Sequence, residues 1–281
     1  MKQQAWKSLR VEGPDLEGVA RLLLDRPARS NALDAALFTD LPLAIAHLDA
    51  SSAVRVIILA GEGKNFCSGI DLSMLAQLNE SETTSSQDIR DGARTSLLNV
   101  HRVKRLQAAF TALEECRKPV IAAIHGACIG GGVDLIAACD LRYCSSDSYF
   151  SVKEVDLAIV ADLGSLQRLP LLIGHGNAMD LALTGRRVSA SEAKSIGLVN
   201  GVFESKHVME EQVTALARNI AAKSPLAVVG TKKVLLKSRD TTVSDGLEYV
   251  ATWNSGMLLS SDLKEAIKAQ LQKRKPIFSK L

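Results

Sequence analysis

The sequence predicts an α/β core followed by a helical tail, and three observations carry that expectation. Apolar, largely β-branched runs of strand length recur at Val19 to Leu24, Val54 to Ala60 and Val120 to Ile124, bordered by Arg26-Pro27, Gly61-Glu62-Gly63 and Lys118-Pro119. Segments with apolar residues at helical spacing lie between these runs. Beyond Gly164 the strand-like runs give way to mainly helical patterns.

Taken in order, the segment Ala32 to Leu48 opens near Asn31 and Asp34, both good helix caps, and should pack on the sheet. From Leu72 to about Thr95 the composition turns polar, with NESETTSSQD in the middle, so this stretch is expected to form a mobile flap beside the site. Arg102 to Arg117 reads as a helix preceding the third strand. Tyr143 and Tyr149 to Val152 read as further short extended pieces. The tail should hold helices over Ala178 to Thr184, Ala190 to Ile196, Lys206 to Ala222, Leu226 to Lys237, Ser244 to Leu259 and Asp262 to Lys273. No internal repeat and no Gly/Ser/Pro linker separates independent domains.

Composition narrows the function classes. With 34 basic and 31 acidic residues and a net charge of +3, the chain lacks a general nucleic-acid footprint, so no nucleic-acid partner is expected. No apolar run approaches the ~20 residues of a membrane span. The five cysteines, Cys67, Cys116, Cys128, Cys139 and Cys144, are odd in number and contain no C-x-x-C pair, which points to reduced thiols. The sequence closes on Ser279-Lys280-Leu281, an S-K-L tripeptide that a peroxisomal import receptor reads.

The stretch ACIGGGVDLIAACDLRYCSSDSYFSVKEVDLAIVAD, from Ala127 to Asp162, nominates a site. Its triple glycine enters an apolar helix, so bare first-turn N–H groups and the helix dipole would favour an anion or an oxygen becoming one. A second glycine turn, Lys64 to Asp71, follows the strand ending near Ala60. Two backbone donors from separate turns, placed here at Ile70 and Gly131, would form an oxyanion hole for a carbonyl that becomes an enolate. Taken singly, either turn serves equally well to reverse the chain. Three carboxylates accompany them. Asp134 lies one turn into its helix, where an acid commonly complements the dipole. For Glu154, flanked by Asp156, a solvated ion pair and a part in proton transfer both fit. Asp162 lies in the apolar run DLAIVADLGSL, where an ionised carboxylate needs a partner or a raised pKa. His125 follows VIAAI and precedes Gly126, where a general base and a structurally satisfied histidine both fit, the second being the commoner use. Neither G-x-G-x-x-G, G-K-[ST] nor G-x-S-x-G is present, and no H-E-x-x-H or D-x-D-x-D-G pattern supports metal ligation.

These motifs, LDRPARSNALD, VIILAGEGKNFCSGIDL, KPVIAAIHGACIGGGVDLIAACDLRYC, FSVKEVDLAIVADLGSLQRLP and KRKPIF, resemble the crotonase (enoyl-CoA hydratase/isomerase) superfamily, and most closely its Δ3,5-Δ2,4-dienoyl-CoA isomerases. The resemblance implies a crotonase-like spiral of ββα units over residues 1–200 and a helical trimerisation region over 201–281, commonly assembled as a hexamer of two trimers. It implies a fatty acyl-CoA substrate, its thioester oxygen held at Ile70 and Gly131, with no redox or metal cofactor. Ser68, Gly69, Asp71 and Leu72, with Ala28, Arg29 and Ala32, match the family's substrate edge, and Lys273 could face the CoA phosphates. Hydratases of the family carry glutamate at the position of Asp134 and glycine at that of Asp162. The departures imply isomerisation, with Glu154 taking the C2 proton, Asp162 supplying C6 and Asp134 orienting the pair. The alternatives are a 2-enoyl-CoA hydratase and a non-catalytic, RNA-binding member of the fold.

Overall fold

The computed structural model describes residues 6–80 and 91–281. Strands β1 (Leu9–Glu12) and β2 (Val19–Leu24) lead into α1 (Ala35–Ala50), β3 (Val56–Gly61), α2 (Leu72–Glu80) and α3 (Gly92–Glu115). There follow β4 (Val120–Ile124), β5 (Ala127–Ile129), α4 (Gly131–Ala137), β6 (Leu141–Ser145), β7 (Tyr149–Ser151), α5 (Ser165–Ile173) and α6 (His175–Thr184). The remainder is β8 (Val188–Ser189), α7 (Ala190–Ser195), β9 (Gly201–Phe203), α8 (Lys206–Ala221), α9 (Pro225–Ser238), α10 (Val243–Met257) and α11 (Ser261–Leu271).

Two sheets share the strands. A six-stranded sheet runs β1-β2-β3-β4-β6-β9, parallel except for the β1–β2 hairpin, and a small sheet runs β5-β7-β8. From β4 to β7 the strands alternate between them: β4 lies in the large sheet and β5 in the small one before α4, and β6 and β7 repeat the step before α5. That alternation is the ββα spiral. The central strands are buried on both faces, which explains their continuous apolar runs. Val19, Leu23, Val56, Ile58, Ala60, Ile121 and Ala123 face Met209, Val213, Ala217 and Ala221 of α8. The alternate residues Leu22, Leu24, Ile57, Leu59, Ala122 and Ile124 join the main core with Leu37, Leu41 and Ile45 of α1 and Phe110 and Leu113 of α3.

Most of the expected elements are present, with informative shifts. Helix α1 starts at Ala35 rather than Ala32, because Asp34 caps it by accepting from Leu37 N–H at 2.9 Å. Helix α3 begins ten residues before Arg102, capped by Asp91, whose side chain accepts from Arg94 N–H. Its first turns are mostly exposed, so they carry little apolar periodicity to read. The flanks of the expected polar flap are helical, as α2 and the start of α3; most of its NESETTSSQD centre lies outside the described residues. Residue 201 opens β9, which closes the large sheet, and α8 covers that sheet, so the helices outside the core begin with α9. All five cysteines are buried free thiols. Among the described residues no helix is long and apolar enough to cross a membrane.

Candidate active site

Both glycine turns converge on one point. The turn after β3 runs alongside two other segments: Cys67 pairs with Cys128 at the start of the small sheet, and Leu33 pairs with Ile70. Leu33 donates to Gly69 O and accepts from Asp71 N–H, each at 2.9 Å. In that parallel pairing the N–H of Ile70, between them, turns away from Leu33 and toward the second turn. There Gly130 adopts φ 52° and ψ −122°, a conformation open to glycine, and donates to Ser151 O. Its carbonyl accepts from Val133 and Asp134, leaving Gly131 N–H at the head of α4 without an intrahelical acceptor. A β-carbon on Gly131 would stand 3.9 Å from Ile70 N, 3.9 Å from Leu163 Cδ1 and only 2.8 Å from Leu33 Cδ1. Two donors with no acceptor among the described residues therefore face a narrow slot walled by Leu33 and Leu163.

The carboxylates lie beside this slot at different depths. Asp134 is 1 % exposed, and its Oδ1 accepts from Ser165 N–H at 2.6 Å. Glu154, in a short 3-10 turn just after β7, is 9 % exposed, and its Oε1 lies 3.3 Å from where a β-carbon of Gly130 would stand. The second oxygens, Asp134 Oδ2 and Glu154 Oε2, are buried without a hydrogen-bond partner among the described residues. Burial raises the Asp134 carboxyl, opposed by its hydrogen bond from Ser165 N–H. Burial, and then the charge of Asp134, push Glu154 up to about 7. Near neutral pH Glu154 is therefore poised between its ionised and protonated forms.

Asp162 departs from the expected apolar setting. Ala161 and Leu163 are buried, but Asp162 turns outward and is exposed. Its carboxyl is raised by the desolvation it does experience, against the pull of its own backbone N–H. It interacts with the charges of the inner pair without joining them. Among the described residues no three His, Cys, Asp or Glu side chains form a group that could hold a metal ion. His125 is buried, its Nε2 3.0 Å from Gly63 O and 3.2 Å from Lys206 Nζ, and burial and Lys206 lower its pKa. It braces the loop after β3.

The segment from Ala28 to Ala32 borders the first glycine turn. Ser68 donates to Ser30 O, and Arg26 holds both strands of the edge, donating to Ala32 O at 2.5 Å and to Asp71 Oδ2 at 3.0 Å. Asp71 is lowered by hydrogen bonds from Ser73 and Arg26. Arg29 and Leu72 are exposed along this edge. Lys273 does not join it: it lies in the turn after α11, donating to Gln270 O. Sequence reasoning missed Leu33, Leu163 and the Ser165 N–H. An apolar side chain or a peptide group carries no chemical signature, and only Gly164, preceding Ser165, marks that turn.

A parallel sheet spiralling into a small second sheet, with two glycine turns aimed at one slot, defines an acyl-transfer or enolate-forming class of enzyme fold. The enoyl-CoA hydratase/isomerase family model matches residues 15–280, and the chain belongs to that family. A peroxisomal Δ3,5-Δ2,4-dienoyl-CoA isomerase of Arabidopsis thaliana is 56 % identical over 100 % of both chains. The mitochondrial Δ3,5-Δ2,4-dienoyl-CoA isomerase of Rattus norvegicus is 44 % identical over 94 % of this chain and 80 % of its own. The crystal structure of an enoyl-CoA hydratase from Bacillus anthracis superposes with a TM-score of 0.87 at 32 % identity, covering 97 % of this chain and 99 % of the other.

Proposed function

We propose that this chain converts 3,5-dienoyl-CoA to 2,4-dienoyl-CoA in the oxidation of unsaturated fatty acids, in peroxisomes. The observation that carries the reading is a third carboxylate, Asp162, at the exposed rim of a slot that already holds the buried Asp134–Glu154 pair and the facing N–H groups of Ile70 and Gly131. The names of the dienoyl-CoA isomerases of Arabidopsis thaliana and Rattus norvegicus support it, and the first of these is named peroxisomal.

The thioester oxygen accepts from Ile70 and Gly131, and Glu154, poised near neutrality, takes a proton from C2. The C2–H electron pair moves into the C2–C3 bond and the conjugated system shifts one position along. Asp162 delivers a proton to C6, which leaves C2=C3 and C4=C5. Asp134, held by Ser165 N–H, orients the pair and raises the proton affinity of Glu154. No electrons leave the substrate, so the reaction needs no redox cofactor. The outward position of Asp162 suits an acid that acts four carbons farther along the acyl chain. Ala28, Arg29, Ala32 and Ser68 to Leu72 form the edge that receives the CoA portion, and the bonds of Arg26 across that edge support this assignment. Lys273 would reach CoA phosphates only from another copy of the chain. Assembly as a trimer or hexamer is supported by α10, which buries no residue, and by the exposed Leu247, Leu259 and Leu271.

The test is a product-resolved assay on 3,5-dienoyl-CoA and 2-enoyl-CoA. Conjugation of the product with the thioester should raise ultraviolet absorbance with the first substrate. Folded protein that only hydrates the second would sink the isomerase reading.

A further inference from the structure

The turn from Asp162 to Ser165 contributes to the site three times. It places the Asp162 carboxyl at the rim, sets Leu163 against Gly131, and donates Ser165 N–H to Asp134. Helix α3 holds this turn in place. Gln107, Thr111 and Glu114 follow at i, i+4 and i+7, which brings them to one face of the helix. Gln107 Nε2 donates to Asp162 O at 2.7 Å. Arg168, one turn into α5, donates from Nη2 to Thr111 Oγ1 at 3.3 Å. It also forks onto Glu114, Nε to Oε1 at 3.3 Å and Nη2 to Oε2 at 3.0 Å. This ion pair is 11 % and 16 % exposed, so it is screened far less than a surface pair. The guanidinium also lies over Gly164, which has φ +125°, and any β-carbon there would collide with Arg168 Nη1.

We infer that Gln107 and Arg168 are positioning residues for the acids: Gln107 fixes the Asp162 peptide, and Arg168, clamped by Glu114, fixes the Ser165 N–H against Asp134. The inference rests on the isomerase reading. The two residues act on different acids and so leave different signatures. Without the Gln107 donor the Asp162 peptide is free to drift, and a displacement of about 1 Å in a reacting group costs on the order of 10²-fold in rate. Substrate affinity should hold, because the Ser68 to Leu72 edge is untouched. Without the Arg168 fork, Ser165 N–H is no longer held on Asp134, whose proton affinity then rises. The titratable groups facing Asp134 are Glu154, Asp162 and the Cys128 thiol, with no cation among the causes acting on it, so the proton redistributes within the inner pair.

The experiment compares the full-length unaltered chain with Gln107→Leu, Gln107→Lys and Arg168→Met on 3,5-dienoyl-CoA, measuring kcat, KM and the pH profile. Gln107 borders an open cavity of about 410 Å³ rather than the core, so its variants should fold, which circular dichroism checks. Gln107→Leu is expected to lose about 10- to 100-fold in kcat with KM and the acid limb unchanged. Gln107→Lys, which restores a donor of similar reach, should recover at least part of the loss. Arg168→Met should move the acid limb of kcat/KM down by about half a pH unit or more, because a proton taken up by Asp134 removes the charge that raises Glu154. The inference is overturned if Gln107→Leu keeps kcat within about twofold of the unaltered enzyme, if Lys rescues nothing, or if the Arg168→Met limb stays in place. Should Arg168→Met fail to fold, the Gln107 pair decides. An unaltered chain that forms no 2,4-dienoyl product overturns the isomerase reading itself, and the positioning assignment with it.

Discussion

Lys232–Asp140 and Asp134–Glu154 are two pairs of ionisable side chains withdrawn from solvent in the same chain, and their surroundings treat them in opposite ways. Lys232 Nζ reaches Asp140 Oδ2 at 2.7 Å, Lys118 O at 3.1 Å and Leu113 O at 3.3 Å, and Asp140 also accepts from Val120 N–H. Opposite charges and filled hydrogen-bond valences make this a joint between α9 and the core. Asp134 and Glu154 are both acids, and each leaves an oxygen unpartnered among the described residues. A fold gains nothing from such an arrangement, since a buried polar atom left unpaired costs about 1–3 kcal/mol. The difference separates structural from chemical use of buried charge: the first pair is closed, and the second is held open for a proton that arrives with substrate.

The sharpest way to break this contrast is to neutralise one member of the open pair. Glu154→Gln should lower kcat for isomerisation by about 10³- to 10⁴-fold while the fold and acyl-CoA binding persist, as general-base loss implies. A variant retaining a tenth of the activity would remove Glu154 from the chemistry. Next in size, Lys232→Met should destabilise the chain by about 3–4 kcal/mol in denaturant titration, because it strands Asp140. The double change Lys232→Met with Asp140→Asn should recover much of that loss, and neither variant should alter kcat per folded molecule. Equal activity losses at both pairs would erase the distinction.

The open pair should also cost stability in a pH-dependent way. Glu154 has a folded-state pKa raised from 4.5 to about 7, so the folded state binds the extra proton between those values and loses stability as pH rises through them. Glu154→Gln should therefore be more stable than the unaltered chain at pH 8, on the order of 2 kcal/mol, with the gain vanishing below about pH 4.5. Thermal melts at the two pH values check the sign. The smallest expected effect is kinetic: kcat/KM should fall about tenfold per unit below pH 7, as Glu154 takes up its proton before substrate arrives. A limb near pH 4.5 would mean that burial does not control this carboxyl.

Much of the open site was legible in the residues, whereas the Lys232–Asp140 joint was not anticipated. The central strands stand out as continuous apolar runs, while the glycine turns, Asp134 and Glu154 gain meaning only together, since each taken alone has an ordinary structural use. The elements that stayed hidden lack such marks. Strand β9 is only Gly201 to Phe203, and its place is decided by pairing with β6 rather than by its own composition. Helix α5 carries Pro170 within SLQRLPLLI, a residue that ordinarily signals a helix break. The Ser165 N–H belongs to every residue type alike, and Gln107 sits on a half-exposed face where glutamine is ordinary. Asp162 illustrates the reverse failure: its apolar neighbours were read correctly, but one peptide turn sends its side chain outward.

The five thiols add a chemical consequence. Burial pushes Cys67, Cys116, Cys139 and Cys144 up to about 12 and Cys128 well above its ordinary value. At neutral pH a thiol of pKa 12 is ionised to only about 10⁻⁵, roughly a thousandfold less than an exposed cysteine, and peroxide attacks the thiolate. The core thus carries five oxidisable sulfurs in their least reactive form.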